Sequence, residues 1–324
     1  MQPYEYKNLN PATLLDSVFD IYKKTFFKQL AFSAIIGAVS FFSMFILAFI
    51  IGIAAAIPLI TATDNIQYIM LVMMIIIFAS ILPLALIWSA TTDAGHIILS
   101  QQAFYGMPVR LPIKHMPKMV LRVISVMLAQ LTVIIPWLFF IIFFAVLIIR
   151  SGDFSIMDAN NTFLPAMSGA PWIILAIGGA LTYIIYSNIF ALATPAAIFE
   201  KKIFFTPLVR SWRLIKNDFW MILGIRLIWA ISVYILTYSA QGLWFAFFAL
   251  FNNMSGGGSL TMTVFIGFMS TMMQSLITIG IGFAVGPLSG ILTALLYFRQ
   301  RINNEGADIE IMLARQKYMD QQTK

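Results

Sequence analysis

Six long apolar stretches divide this 324-residue chain, and they constrain its fold more than any other feature. They cover about residues 29–58, 66–99, 119–149, 171–199, 219–251 and 260–298. A helix needs roughly 20 apolar residues to cross the hydrocarbon core of a bilayer. Each stretch is longer than that, so we expect tilt, kinks or helical extension beyond the bilayer. With 60% hydrophobic and 10% charged residues, the chain has the composition of a membrane protein.

We therefore predict an all-α integral membrane protein with six transmembrane helices arranged as three helical hairpins. Residues 1–28 are expected to form a cytoplasmic amphipathic segment, 29–298 the transmembrane domain, and 299–324 a cytoplasmic tail. We expect no cleavable signal peptide, because the first 28 residues mix acidic with basic side chains and the apolar run after them is too long.

The basic residues indicate the orientation of the chain. Eighteen of the 20 lysines and arginines fall in 1–28, 99–122, 200–218 and 299–324, which are alternate connections between the apolar stretches and the two ends. The exceptions are Arg150, in a connection of the other set, and Arg226, inside the fifth stretch. Short loops rich in Lys and Arg stay on the cytoplasmic side during insertion. The pattern predicts a multi-pass protein of the cell membrane with both termini in the cytoplasm.

Amphipathic lead-ins are expected before the odd-numbered spans. Leu14, Val18 and Ile21 recur at helical spacing after a helix start near Asn10-Pro11, and a similar segment starts at Thr206-Pro207. Residues 23–27 align with 216–220 at a shift of 193, and 116–122 form a shorter basic lead-in. We interpret these segments as interfacial helices of a parallel repeat. The alternative is that membrane insertion favours such lead-ins regardless of ancestry. A short amphipathic helix or a frayed tail is expected after 308.

Several classes of function are excluded or disfavoured by composition. The chain contains no cysteine, so it can form neither a disulfide nor a thiolate metal site. The net charge of +7 is dispersed among apolar residues, which favours topology and attraction to anionic lipid headgroups over nucleic-acid binding. No hydrolase, zinc or phosphate-loop motif is present. We expect no metal and no cofactor.

Ionisable residues inside membrane spans are candidates for function, because they are costly to bury there. Asp93 and His96 lie near the inner end of the second span, Glu200 ends the fourth, and Arg226 lies about two turns inside the fifth. One reading is a structural ion pair or snorkelling to the interface. Another is that Arg226 and Asp93 meet in a cavity that binds a polar headgroup. Glu200 is expected to pair with Arg210 or Arg213.

The sixth span carries Gly282, Gly286 and Gly290 at intervals of four residues, with Pro287 beside the second glycine. Small residues at this spacing let helices approach closely, so helix packing is the first interpretation. The alternative is a hinge, in which glycine and proline break the helix beside a transport pathway.

The stretch 191–224, ALATPAAIFEKKIFFTPLVRSWRLIKNDFWMILG, resembles a motif of six-span prokaryotic membrane proteins related to the glycerophosphoryl diester phosphodiesterase membrane domain. The matching residues are Pro195, Ala196, Glu200, Arg210, Ser211, Trp212, Leu214, Lys216, Phe219, Trp220 and Gly224. The resemblance implies a six-span architecture. The phosphodiesterase activity of that group belongs to a separate barrel domain that this chain lacks, so the resemblance does not imply that activity.

The same stretch supplies the candidate headgroup-binding residues. Arginine side chains can contact lipid phosphate, while tryptophans settle at headgroup depth, with the ring in acyl chains and the N–H in water. The candidates are Arg210, Trp212, Arg213, Lys216 and Trp220.

The sequence thus favours a non-enzymatic membrane protein that binds lipid or a membrane partner, as a scaffold or regulatory subunit. Membrane lipids are the expected partners, with another membrane protein or a second copy of the chain as further candidates. The alternative is a transporter, permease or exporter subunit for a lipid, peptide or other amphiphile. An intramembrane enzyme would need Asp93, His96, Glu200 and Arg226 to converge within hydrogen-bond reach.

Overall fold

A computed structural model describes residues 11–61, 66–150, 170–254 and 260–307, together with 309 and 313. All of its regular elements are helical, which confirms the predicted all-α class. The α-helices are α1 (Pro11–Thr61), α2 (Ile66–Phe104), α3 (Met116–Arg150), α4 (Ala170–Ile189), α5 (Ala193–Phe199), α6 (Phe205–Ile215), α7 (Phe219–Met254) and α8 (Leu260–Glu305). A 3₁₀ turn, Ile113–His115, precedes α3.

Five segments of the described residues are helical, long and apolar enough to cross a membrane. They are Thr13–Leu47, Met116–Phe143, Ala176–Phe199, Phe219–Leu250 and Gly267–Glu305. They correspond to the first, third, fourth, fifth and sixth predicted spans. The second predicted span, 66–99, is helical within α2, but many of its side chains lie outside the described residues. So do the connections 62–65, 151–169 and 255–259 and most of the predicted tail helix.

The chain divides into two compact units. The first comprises Met1–Val120 and Gly224–Lys324, and the second comprises Leu121–Leu223. In the first unit, α1, α2 and α8 pack on one another. In the second, α6 packs on α5 and α4, and an apolar core is shared by Val126, Ala129, Ala193, Ala197 and Leu208.

The N-terminal lead-in is the first part of α1 and not a separate interfacial helix. The helix begins at Pro11, as predicted, and continues without interruption to Thr61. The apolar face predicted for the interface, formed by Leu14, Val18 and Ile21, is buried inside the protein. The corresponding segment before α7 is an independent helix, α6. The two segments that align at a shift of 193 residues therefore have different structures.

Three glycines let the helices of the first unit approach one another in a closed cycle. The Phe32 side chain of α1 lies against Gly95 of α2, His96 of α2 lies against Gly290 of α8, and Phe283 of α8 lies against Gly37 of α1. A Cβ atom added to Gly290 would lie 2.5 Å from the Cβ of His96. Each helix thus offers one glycine. Phenyl rings lie against Gly95 and Gly37, whereas Gly290 lies against the Cβ and backbone of His96.

Only one of the three regularly spaced glycines of the sixth span takes part in this packing. A Cβ atom added at Gly282 or Gly286 would meet nothing within 4 Å in the described structure, in contrast to Gly290. Helix α8 runs continuously past Pro287. The alternative interpretation as a hinge stays a prediction. Nearby, the hydroxyl of Tyr22 donates to the carbonyl of Ala284 at 2.5 Å. This bond joins α1 to the turn of α8 that precedes Pro287, whose nitrogen has no N–H to donate.

Candidate functional site

A break between α4 and α5 sets the position of α6. In a continuous helix the N–H of Ala193 would donate to the carbonyl of Ile189, but here it donates to Phe190 at 3.1 Å. The hydroxyl of Ser211, on α6, replaces the lost partners. It donates to the carbonyl of Ile189 at 2.7 Å and accepts from the N–H of Leu192 at 3.1 Å. Because Ser211 is fully buried, these bonds hold α6 firmly against the break.

The loop from α5 to α6 has an unusual backbone. Lys201 and Phe204 have φ angles of 56° and 55°, although neither is glycine. Phe204 also has ψ at −125°, a combination that only glycine adopts readily. Its N–H donates to the hydroxyl of Ser125 on α3 at 3.2 Å. This bond joins the loop to α3, and α6 starts at Phe205.

Glu200, at the end of α5, holds two cations. Its Oε1 accepts from Nε of Arg210 at 2.6 Å, and its Oε2 lies 2.7 Å from Nζ of Lys202. The side chains of Glu200 and Arg210 are each 13% exposed, whereas that of Lys202 is 40% exposed. The predicted pairing of Glu200 with Arg210 is confirmed. One carboxylate neutralises only one of the two cations, so the cluster keeps a net charge of about +1.

Helix α6 buries one face and exposes the other. Pro207, Leu208, Ser211, Leu214 and Ile215 form the buried face. The opposite face, with the loop before it and the start of α7, exposes apolar and basic side chains together. We call this area the α6 surface; it comprises Lys201, Lys202, Ile203, Phe204, Phe205, Val209, Trp212, Arg213, Lys216 and Trp220. It extends from the end of one candidate span, at Phe199, to the first residues of the next, which begins at Phe219.

Four of the five predicted headgroup-binding residues are exposed on this surface. They are Trp212, Arg213, Lys216 and Trp220, and Trp220 is 78% exposed. The fifth, Arg210, points instead to Glu200 and is mostly buried. Arg210 is less exposed than the other four because its position in the helical repeat lies at the border between the two faces of α6.

His96 lies in a buried polar cluster of the first unit. Its Nδ1 is 2.6 Å from Oε1 of Gln29, and its Nε2 is 3.2 Å from the hydroxyl of Ser33, both on α1. Because an amide oxygen only accepts, Nδ1 carries a proton and donates to Gln29, which leaves Nε2 to accept from Ser33. The ring also packs edge-on against Phe32, with 5.5 Å between the centroids. The arrangement joins α1 to α2.

Two further predicted intramembrane residues, Asp93 and Arg226, belong to the same unit as His96. Asp93 lies one turn from His96 on α2, but its side chain is exposed. Arg226 is half-buried on α7. The pairing of Arg226 with Asp93, and the convergence of both with His96 and Glu200 that an enzyme would need, stay predictions. Among the described residues, no three His, Asp or Glu side chains are close enough together to hold a metal ion.

Several residues of these sites were missed by sequence reasoning. The exposed apolar run Ile203–Phe204–Phe205 could have been recognised from the sequence, because three large apolar residues follow two lysines outside any predicted span. Gln29 and Ser33 could also have been recognised, because they are polar and four residues apart on a helix. The bridging role of Ser211 depends on a break in another helix, and no local pattern indicates it.

Comparison with known proteins adds no further assignment. The resemblance of 191–224 to the phosphodiesterase membrane domain stays a prediction from the sequence. No protein-family model matches the chain, and no curated protein or solved structure matches it either.

Proposed function

We propose that this protein is a non-enzymatic membrane protein that binds phospholipid headgroups through the α6 surface, as a scaffold or regulatory subunit. The observation that carries the proposal is the combination of exposed apolar and exposed basic side chains on one short helix between two candidate spans. An ordinary soluble surface seldom exposes several large apolar side chains together. A bilayer interface accommodates both kinds of side chain at once.

The apolar members would anchor the surface at the membrane. Phe204, Phe205 and Trp212 are about half exposed, and Trp220 more so. Each aromatic ring can enter the acyl region, while the indole N–H of tryptophan stays with water or headgroups. Phenylalanines next to lysines match the order of layers in a bilayer, in which hydrocarbon lies next to phosphate.

The basic members would bind the phosphate. Between residues 200 and 218 the sequence has five basic and two acidic residues, so this segment carries a net positive charge. A lysine or arginine near an anionic membrane surface contributes about 1 kcal/mol of binding free energy. Arg213 and Lys216 lie three residues apart on the exposed face of α6, which places them within reach of one phosphate.

Lipid retention tests the proposal. The protein would be placed in nanodiscs of phosphatidylcholine with a fraction of phosphatidylglycerol. Native mass spectrometry would then identify the lipids that stay bound when the protein is released from the nanodisc. We expect wild type to retain phosphatidylglycerol preferentially. The double variant Arg213→Gln/Lys216→Gln should lose most of that preference.

The matched control is Lys23→Gln/Lys118→Gln, which also removes two exposed basic charges but from α1 and α3. It should retain the anionic lipid as wild type does. Equal loss in the two double variants would mean that overall charge, and not the α6 surface, determines retention, and the proposal would then be wrong.

A further inference from the structure

The cluster of Glu200, Arg210 and Lys202 bears on how the α6 surface is controlled. Each oxygen of the Glu200 carboxylate holds one cation, with Arg210 at 2.6 Å and Lys202 at 2.7 Å. The two cations are not equivalent. Arg210 is mostly buried and fixed on α6, whereas Lys202 is on the exposed loop and keeps 40% of its side chain accessible. Lys202 is therefore the cation that can leave the carboxylate.

We propose that Lys202 exchanges between Glu200 and the phosphate of an anionic phospholipid, so that Glu200 acts as an internal competitor that limits lipid binding. This inference rests on the proposed function of the α6 surface and adds its regulation. The exchange is electrostatically balanced, because Glu200 keeps Arg210 as its counterion when Lys202 turns to the lipid. The buried carboxylate is therefore never left without a cation, which would be costly.

The loop geometry is compatible with this exchange. Lys202 lies between Lys201 and Ile203, which are both exposed, and precedes the exposed Phe204. A lysine side chain has four flexible carbon atoms and a compact charged group with three donors, so it can change partner without moving the backbone. An arginine held against a carboxylate inside the protein is far less free to do so.

Substitutions of Glu200 and of Lys202 should change lipid retention in opposite directions. Glu200→Gln releases Lys202 and should raise retention of phosphatidylglycerol, by about fivefold if one basic residue becomes fully available. Lys202→Gln should lower retention, although it leaves the buried pair of Glu200 with Arg210 intact. The two substitutions also change the net charge in opposite directions, so the double variant is needed to separate exchange of Lys202 from an effect of charge alone.

The double variant Glu200→Gln/Lys202→Gln identifies the released cation. If Lys202 is the competing group, the double variant should retain no more lipid than Lys202→Gln alone. If it retains as much as wild type, net charge alone sets retention, and if it retains as much as Glu200→Gln, Arg210 is the group set free. Either result would show that the inference is wrong. Retention in nanodiscs that contain phosphatidylglycerol is the readout, and inorganic phosphate added in excess separates lipid binding from binding of a free anion. Displacement of the lipid by inorganic phosphate would contradict a lipid site.

Failure of lipid binding by the α6 surface and failure of the competition by Glu200 would give different results. If Arg213→Gln/Lys216→Gln retains lipid as wild type does, the proposed function itself fails. If that variant loses lipid but Glu200→Gln, while folded, shows no gain, only the competition is overturned. Should Glu200→Gln not fold, Lys202→Gln decides alone, and unchanged retention in that variant overturns the inference.

Discussion

The hydroxyl oxygen of Ser211 accepts a hydrogen bond from the backbone N–H of Leu192 at 3.1 Å, across 19 positions of the chain. Through the same hydroxyl, Ser211 donates to the carbonyl of Ile189 at 2.7 Å. One side chain therefore satisfies two backbone groups at the break between α4 and α5. The position of the α6 surface depends on this contact.

Replacing Ser211 by alanine should destabilise the second unit. The change would leave a buried N–H and a partly buried carbonyl without their partner, at about 2–4 kcal/mol for the two. The free energy of unfolding in detergent micelles, titrated with a denaturing detergent, measures the loss. Ser232→Ala is the matched control, because that hydroxyl only donates to Ile228 on the exposed side of its own helix. Equal stability of the two variants would show that Ser211 does not hold the break.

The cycle of glycines predicts a contrast between two neighbouring positions on α8. Gly290→Ala should destabilise the first unit by about 1–3 kcal/mol, because the new methyl group would overlap the Cβ of His96. Gly286→Ala, four residues earlier, meets nothing within 4 Å and should be neutral or stabilising, since alanine favours a helix by about 1 kcal/mol over glycine. Thermal unfolding in micelles tests both. The reverse order would refute close packing at Gly290.

The two hydrogen bonds of His96 predict a larger coupling energy with Gln29 than with Ser33. A double-mutant cycle between Gln29→Ala and His96→Ala should give a coupling energy of about 0.5–1.7 kcal/mol, as intramembrane hydrogen bonds do. The cycle between Ser33→Ala and His96→Ala should give less, because that bond is longer, at 3.2 Å against 2.6 Å. Unfolding free energies of the single and double variants supply both values. No measurable coupling at Gln29 would show that the bond does not join α1 to α2.

The strained residue before α6 predicts a stabilising glycine. Phe204 has φ at 55° and ψ at −125°, and such a conformation costs a bulky residue about 1–3 kcal/mol. Phe204→Gly should therefore raise the unfolding midpoint. Phe205→Gly is the control, because Phe205 is equally exposed but helical, so glycine there should cost about 1 kcal/mol. A lower midpoint for Phe204→Gly than for wild type would contradict the strain.

Features that depend on periodicity and length were predictable from the sequence. The helical class, the start of α1 and the existence of α6 all follow from apolar spacing and from helix-start residues such as Pro11 and Pro207. The exposed positions of Arg213 and Lys216 follow in the same way, because they lie away from the face of α6 that holds Leu208 and Leu214. Periodicity does not give the exposure of Trp212, which follows the buried Leu208 by four residues.

Features that depend on neighbours distant in sequence were not predictable. The regular spacing of Gly282, Gly286 and Gly290 indicates one packing stripe, yet only Gly290 meets a partner helix, because His96 lies opposite it. The buried face of the N-terminal lead-in also looks interfacial in isolation, since an amphipathic helix can bury its apolar face in either protein or lipid. The three-hairpin repeat stays a prediction.

The most direct test of the account is to locate the lipid on the chain. A phosphatidylglycerol with a photoactivatable group near its phosphate would be crosslinked to the protein in nanodiscs, and the crosslinked peptides mapped by mass spectrometry. The reference region is 243–250, which exposes the large apolar side chains Leu243, Phe245, Phe247 and Leu250 but has no basic residue. We predict crosslinks concentrated in 200–220, and more of them with phosphatidylglycerol than with phosphatidylcholine. Crosslinks that are absent from 200–220, or no denser there than in 243–250, would contradict lipid binding by the α6 surface.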